Sequence, residues 1–388
     1  MYRAPRTLGM VIALAVLGGC LHSGNGNGRP EQPPGDFEVE EVAQGLEHPW
    51  ALAFLPGDES RALVTERPGR LLLLDLDDGT GNEVTGVPNV AAVGQGGLLD
   101  VALHPDFANT PWVYLTYSSE GEPGEYATHV GRGRLNSESL ELEDFEVLHV
   151  ATPFTSGNGH FGSRMVFDEH WRLYVTVGDR RNRDSAQDLG SHHGKTLRLA
   201  EDGSIPSDNP FVADDDAKHA IFSYGHRNSQ GMAVHPETTR IWQHEHGEQA
   251  GDEINILEAG GNFGWPIATY AREYGSGEPI GDLPPDNPDT VDPIHYWEDD
   301  AFPPSGMAFY FGEAFPDWRG DLFIGGLGDR EYLARFTLNG EHVREEERLL
   351  EDRGWRIRDV RVNPHDGNIY VLIDDSDAPL IRLVPADE

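Results

Sequence analysis

The chain of 388 residues has one cysteine, only two lysines, and no apolar run long enough to cross a membrane as a helix. A single cysteine, Cys20, leaves no partner for an internal disulfide and no thiol nucleophile in the body of the chain, so stability must come from packing, with metal ions as a candidate addition. Basic residues are scarce: 29 Lys and Arg face 67 Asp and Glu, for a formal net charge of −38. That balance excludes a nucleic-acid binder. Lys195 and Lys218 are the only lysines, and every other cation is Arg. A Lys-poor, Asp/Glu-rich surface suits high salt, where self-repulsion is screened, and reads as the surface of a halophile or of an acidic exported protein. With 46 Gly, 27 Pro and 38% hydrophobic residues, the chain is turn-rich yet has enough apolar side chains for a core.

The N-terminus reads as a processing signal. Arg3 and Arg6 precede the apolar run Met10 to Leu17, which has the length of a signal-peptide core rather than a membrane span. It ends Leu17-Gly-Gly-Cys20, which resembles a bacterial lipobox, where the cysteine is lipidated and becomes the first mature residue. Residues 21–36 are rich in Gly, Asn and Pro and read as a flexible tether, leaving 37–388 as one folded domain. The expected location is outside the cytoplasm, on the periplasmic or cell-surface side, with a lipid at Cys20 as the only membrane contact.

One unit recurs six times: an apolar strand, a turn with Pro, Asp or Gly, and a second apolar or aromatic strand. The copies begin at Ala51, Val101, Met165, Met232, Met307 and Val360, with second strands beginning at Arg61, Trp112, Leu173, Arg240, Asp321 and Asn368. No stretch sustains a 3.6-residue apolar period. Each interval has room for one four-stranded sheet, so the expected fold is all-β, a six-bladed β-propeller with a central cleft.

In such a ring, loops from one face converge on the axis, and unusual residues sit just before the repeated strands. Gln95 lies in Gly94-Gln-Gly-Gly97, and His160 in Ser156-Gly-Asn-Gly-His-Phe-Gly162, whose glycines allow close backbone approach to a ligand. Arg227 and Asn228 precede the fourth repeat, and Arg356 and Arg358 the sixth. Three arginines brought to blade ends suit an anionic ligand with planar carboxylates, or pairing with the many local Asp and Glu. The segment His246-Gly-Glu-Gln-Ala-Gly-Asp-Glu253 puts carboxylates beside glycines, a weak sign of Ca²⁺ chemistry. The pairs His192-His193 and His244/His246 are weaker candidates for a transition metal. From Gly275 to Ser305 runs a long Pro/Asp-rich loop that could shape a cleft. Tyr296 and Trp297 within it suit sugar stacking or, slightly better, an outer-strand anchor.

Taken in order, Gln95 to Phe107 (QGGLLDVALHPDF), His160-Phe-Gly-Ser-Arg164, Gly194-Lys-Thr-Leu-Arg198, Tyr224-Gly-His-Arg-Asn-Ser-Gln-Gly231, Glu245-His-Gly247, Gly251-Asp-Glu-Ile-Asn255 and Asn262-Phe-Gly-Trp-Pro266 resemble the PQQ-dependent soluble glucose and aldose sugar dehydrogenases, from about Leu46 to Leu383. The resemblance implies a six-bladed propeller that oxidises the anomeric hydroxyl of aldoses to lactones with pyrroloquinoline quinone (PQQ) and Ca²⁺, passing electrons to an external acceptor. It implies His160 as the base that takes the C1 hydroxyl proton while hydride moves to C5 of the quinone. Gln95, Arg227, Asn228, Tyr274, Arg356 and Arg358 match cofactor-holding positions. The carbonyls of Gly247 and Glu248 match an active-site Ca²⁺ site, and Glu253 with the carbonyl of Phe263 matches a second, structural one. Three positions depart from the family: Gly247-Glu248 where Gly-Pro is frequent, which keeps a carbonyl and adds a charge; Gly328 where many members have a lysine, with Arg330 nearby; and Ser229 in place of proline. Two other readings compete: a Ca²⁺-dependent propeller lactonase, which would need carboxylates and an Asn converging on the metal, and a non-enzymatic lipoprotein propeller serving as a binding platform.

Overall fold

The computed structural model describes residues 37–298, 301–328 and 331–386; the expected signal segment, Cys20 and tether, and also Arg330, lie outside the described residues. Each repeated unit is the first half of a blade. Blade 1 runs Pro49–Phe54, Arg61–Glu66, Leu71–Asp75 and Gly81–Val84; blade 3 runs Met165–Phe167, Leu173–Val177, Lys195–Leu199 and Ile221–Tyr224. Blade 2 starts at Leu98–Leu103, blade 4 at Gly231–Val234, blade 5 at Pro304–Phe309 and blade 6 at Ile357–Val362. Each first strand contacts the first strand of the next blade, and that of blade 6 contacts that of blade 1, so the six form a ring around an axis. Among the described residues the only helices are four short 3₁₀ turns.

The second strands explain why the repeats are legible. Leu173–Val177, Leu322–Gly326 and Ile369–Ile373 are buried along their whole length, sandwiched between neighbouring blades, so they read as mostly apolar runs; Ile241–Glu245 is as fully buried but is apolar only at Ile241 and Trp242. The apolar side chains fill the spaces between blades: Trp50, Leu63, Leu73, Leu98 and Leu115 between blades 1 and 2, and Trp242, Ile254, Met307, Leu322 and Phe336 between blades 4 and 5. Each fully buried Leu or Ile contributes about 2 kcal/mol.

The first strand of the fold, Phe37–Leu46, pairs antiparallel with Ala378–Pro385, Phe37 opposite Pro385. It is the outermost strand of blade 6, which is otherwise built from the end of the chain, so main-chain hydrogen bonds between the two ends of the domain shut the ring.

Several inner strands begin earlier than their sequence pattern. In blades 1, 2, 5 and 6 a register shift at the start, between Pro49 and Ala51, Leu98 and Val101, Ser305 and Met307, and Ile357 and Asp359, breaks the two-residue alternation. These bulges sit at the ends that face the central cavity and turn Asp100, Gly306 and Arg358 out of register. The segment read as one loop, Gly275 to Ser305, contains Pro279–Gly281, which pairs with Ala268–Arg272, and His295–Trp297, the outer strand of blade 4. Trp297 is buried in the blade 4–5 core, and Tyr296 stacks flat on Tyr270 with ring centroids 3.5 Å apart.

Candidate active site

Inner strands start, and second strands end, on the same face of the ring, because the two are antiparallel neighbours. Residues just before the first and just after the second strand therefore line one central cavity of about 440 Å³. Gln95, His160, Arg227, Tyr274, Arg356 and Arg358 all line it, as do Gly247 and Glu248. Asn228 does not: it is fully buried behind the wall, its Oδ1 accepting from Gly162 N at 3.2 Å and its Nδ2 lying 3.3 Å from His246 Nδ1. Glu253 and Phe263 lie outside the cavity lining, within and beside the blade 4 sheet.

His160 sits at φ 53° on the glycine-rich loop and is nearly buried. Its backbone N–H donates to Gln95 Oε1 at 2.7 Å, so Gln95 holds the loop that carries it. Its Nδ1 lies 2.7 Å from Asp179 Oδ1. Asp179 was not foreseen from the sequence; it follows the second strand of blade 3 by two residues, and Trp265 Nε1 donates to its other oxygen at 2.9 Å. Burial pulls the His160 imidazole below its ordinary value, partly opposed by the Asp179 hydrogen bond. Asp179 itself is held below the usual carboxylate range: burial acts to raise it, and the bond to His160, with Arg227 and the Arg181 backbone N–H, outweighs that. The result is a neutral, oriented imidazole with Nδ1 occupied and Nε2 available to the cavity.

Arg356 and Arg358 share Asp374, the residue after the second strand of blade 6. Its Oδ2 lies 2.7 Å from Arg358 Nη2 and 3.2 Å from Arg356 Nη2, while its Oδ1 lies 3.0 Å from His48 Nδ1. Arg358 also donates to Gln230 Oε1 at 2.6 Å, and its buried Nε has no partner. Arg356 donates to the Leu327 carbonyl. Arg67 and Arg181, also unforeseen, add two further guanidiniums to the wall, Arg67 bonded to the Gly94 carbonyl. The signal that would have found Asp179 and Asp374 is positional, an acidic residue just past a buried second strand.

Two glycines are required by space. Gly97 lies at φ 145°, and a Cβ there would fall 1.9 Å from the Arg67 carbonyl; at Gly247 it would fall 2.1 Å from the Ala250 carbonyl. The Gly247 N–H donates to Asp252 Oδ1 at 2.9 Å, and burial lifts the Asp252 carboxyl to about 6.

The five arginines of the lining outnumber its three carboxylates, Glu248, Asp252 and Asp374, in a chain of net charge −38. Such an island favours an anionic guest. Among the described residues no cluster of three or more His, Cys, Asp and Glu side chains is arranged for a metal. His244 Nε2 faces the Gly306 carbonyl at 3.0 Å and His246 Nε2 the Pro304 carbonyl at 2.8 Å, so both link blade 4 to blade 5. His192 Nδ1 accepts from Thr152 N at 3.0 Å and its ring packs on His149.

Residues 46–382 match the Glucose / Sorbosone dehydrogenase family. The chain is 44% identical over 353 residues to the aldose sugar dehydrogenase YliI of Escherichia coli, covering 91% of this chain and 94% of that one. A crystal structure of a glucose dehydrogenase superposes with a TM-score of 0.86 at 46% identity, over 90% of this chain and all of the other. The PQQ-bound form of aldose sugar dehydrogenase from Streptomyces coelicolor superposes with a TM-score of 0.74 at 28% identity, over 91% and 99% of the two chains. The match across nearly the whole propeller shows that the chain belongs to the glucose/sorbosone dehydrogenase family of oxidoreductases.

Proposed function

We propose that the protein is a PQQ- and Ca²⁺-dependent dehydrogenase that oxidises the anomeric hydroxyl of aldoses to lactones and passes the electrons to an external acceptor. The observation that carries the reading is the pairing, in one cavity, of a carboxylate-oriented neutral histidine with an excess of arginines. The lining fits PQQ, a flat tricarboxylate: Arg227, Arg356 and Arg358 offer planar forks, and Arg358 Nε is buried without a partner. Gln95, Asn228 and Tyr274 complete the holding set, Asn228 from behind the wall. Hydride acceptance from C1 of the sugar is the chemistry PQQ supplies when bound, with Ca²⁺ adding Lewis acidity.

This chain's own residues do the rest. His160 Nε2 takes the C1 hydroxyl proton as hydride leaves the same carbon, and Asp179 stabilises the imidazolium that results. Gln95 fixes the loop that presents the ring. The carbonyls of Gly247 and Glu248 would hold the active-site Ca²⁺; neither accepts a hydrogen bond from another described residue. Glu253, with the Phe263 carbonyl, would hold the second ion. There Glu245 and Glu253 stand directly opposite each other on neighbouring strands, burial and Glu245 push the Glu253 carboxyl well above its ordinary value, and Asn255 Oδ1 is buried without a partner, a donor set suited to a hard cation.

The lactonase reading is less well supported, because Glu248 and Asp374 are engaged by arginines and Asn228 by Gly162 and His246. A binding platform would have no need of the His160–Asp179 pair. Export and a lipid at Cys20 belong to the same proposal and rest on the sequence alone. The test is reconstitution of the apoprotein with PQQ and Ca²⁺ in high salt, following aldose-dependent reduction of a dye. Turnover should require both additions and vanish in His160→Ala; turnover that survives in the variant, or needs neither addition, would rule the reading out.

A further inference from the structure

The cavity contains one carboxylate whose position bears directly on ligand binding. Glu248 projects from the turn after the second strand of blade 4 with its side chain only 14% exposed, and its two oxygens are divided between two arginines. Oε1 lies 3.0 Å from Arg183 Nη2, and Oε2 lies 3.3 Å from both Nε and Nη2 of Arg227. Arg227 is 8% exposed, and Glu248 is the only carboxylate its side chain pairs with among the described residues. A guanidinium this deeply buried is strongly destabilising without a counter-ion. Arg183 is differently placed. It is a third exposed and grips Glu273 with two parallel bonds of 2.6 and 2.9 Å, tying the 3₁₀ turn Arg183–Ala186 to the residue that follows the strand Ala268–Arg272.

We propose that Glu248 is a built-in counter-ion of Arg227, displaced when a carboxylate of the ligand takes that arginine, and that Arg183 retains the displaced Glu248. The proposal rests on the reading of the cavity as a tricarboxylate site. In the free protein Glu248 neutralises Arg227, so the cationic wall is stable without a guest. When an anionic ligand engages Arg227, the shorter contact to Arg183 remains, and neither charge is left unpaired. The ligand's contact with Arg227 then replaces an existing ion pair instead of meeting a free cation, which lowers affinity, while Arg183 limits the loss by giving Glu248 somewhere to go. Gly247-Glu248 thus does more than lose the fixed turn of Gly-Pro: it places a competing anion inside the site.

The two sides of this clasp respond in opposite directions. Glu248→Gln keeps the backbone carbonyl and the side-chain shape but removes the competing charge. PQQ should bind its apoprotein about tenfold more tightly in a fluorescence titration, while the ligand-free protein melts several degrees lower. Arg183→Gln leaves Glu248 with Arg227 alone, and PQQ should bind about tenfold more weakly. A purely structural Glu248 would weaken binding or leave it unchanged in both variants, and equal or weaker binding by Glu248→Gln overturns the proposal. So does a loss of affinity in that variant confined to Ca²⁺-containing buffer, which would make the carboxylate a metal ligand. Citrate in Ca²⁺-free buffer separates this idea from the cofactor assignment. If none of the three proteins binds PQQ but citrate binds Glu248→Gln more tightly than the parent, the counter-ion stands and the cofactor reading falls; if citrate too binds alike, both fall.

Discussion

In the base role proposed for it, His160 would draw on two opposing influences that act on one ring. Burial keeps it neutral below the pH at which an exposed histidine would protonate, and Asp179 moderates that effect while fixing the ring through Nδ1. In Asp179→Asn the charge that favours the imidazolium is gone, so the acid limb of the kcat/KM profile should move to lower pH and kcat should fall about 100-fold. A limb that stayed in place would mean that Asp179 acts only as packing. Asp374 is the corresponding residue for the arginines. It is held far below the ordinary carboxylate value: burial alone would raise it, and Arg358, His48 and Arg356 together overcome that. Folding therefore favours its ionised form, a contribution complete above pH 3.8 and lost as pH falls further. Asp374→Asn, which leaves buried Arg358 without its carboxylate, should cost about 3 kcal/mol at neutral pH by urea denaturation, with a shallower loss of stability in acid. Gln95, His160, Arg227, Arg356 and Arg358 were legible because they stand in glycine-rich loops or beside the repeated strands; Arg67 and Arg181 of the same wall were not, nor were Asp179 and Asp374, which are two of 67 acidic residues.

At the scale of the element, the turn that carries Arg183 is braced by a buried lysine. Lys195 Nζ donates to the carbonyls of Ser185, Ala186 and His193 at 2.8, 3.0 and 2.7 Å, and burial draws its ammonium down to about 7. Lys195→Met would leave the buried His193 carbonyl without a partner and take one of two donors from those of Ser185 and Ala186, which keep the N–H groups of Asp188 and Gly225, and should destabilise the fold by about 2 kcal/mol in a denaturant melt. The strand Phe37–Leu46 is a second such element. Because it alone completes blade 6, its removal exposes the edge of Ala378–Pro385, and the truncated chain should melt at least 10 °C lower or aggregate. The strands themselves were readable wherever a blade neighbour buries both faces, as in Leu173–Val177. The starts of the inner strands were not, since their bulges break the alternation on which the reading depends.

Across the whole molecule, charge and closure work against each other. A net charge of −38 pushes the blades apart, while ionic bonds at the axis draw them together. Arg164, fully buried just before the first strand of blade 3, lies 3.0 Å from Asp100 of blade 2 and 3.1 Å from Asp359 of blade 6, and Arg361 reaches both carboxylates. Arg164 Nε also meets the Gln230 carbonyl at 3.0 Å, joining this plug to the cavity wall. Buried pairs of this kind are little screened, whereas surface repulsion is, so raising KCl from 0.1 to 2 M should increase the melting temperature. A melting temperature that fell with salt would argue against the halophilic reading of the surface.

The sequence alone determined the number of blades, the membership of the family and the face on which the chemistry gathers. All three follow from local patterns: buried strands, turns and glycines recur at intervals that only a closed ring accommodates. The tertiary structure decided which charges meet. His160 and Asp179 are 19 residues apart, Arg358 and Asp374 are 16 apart, and Arg183 finds Glu273 across 90. Those encounters depend on strand register, on bulges and on the tilt of one blade against the next, none of which is written in any single stretch of chain.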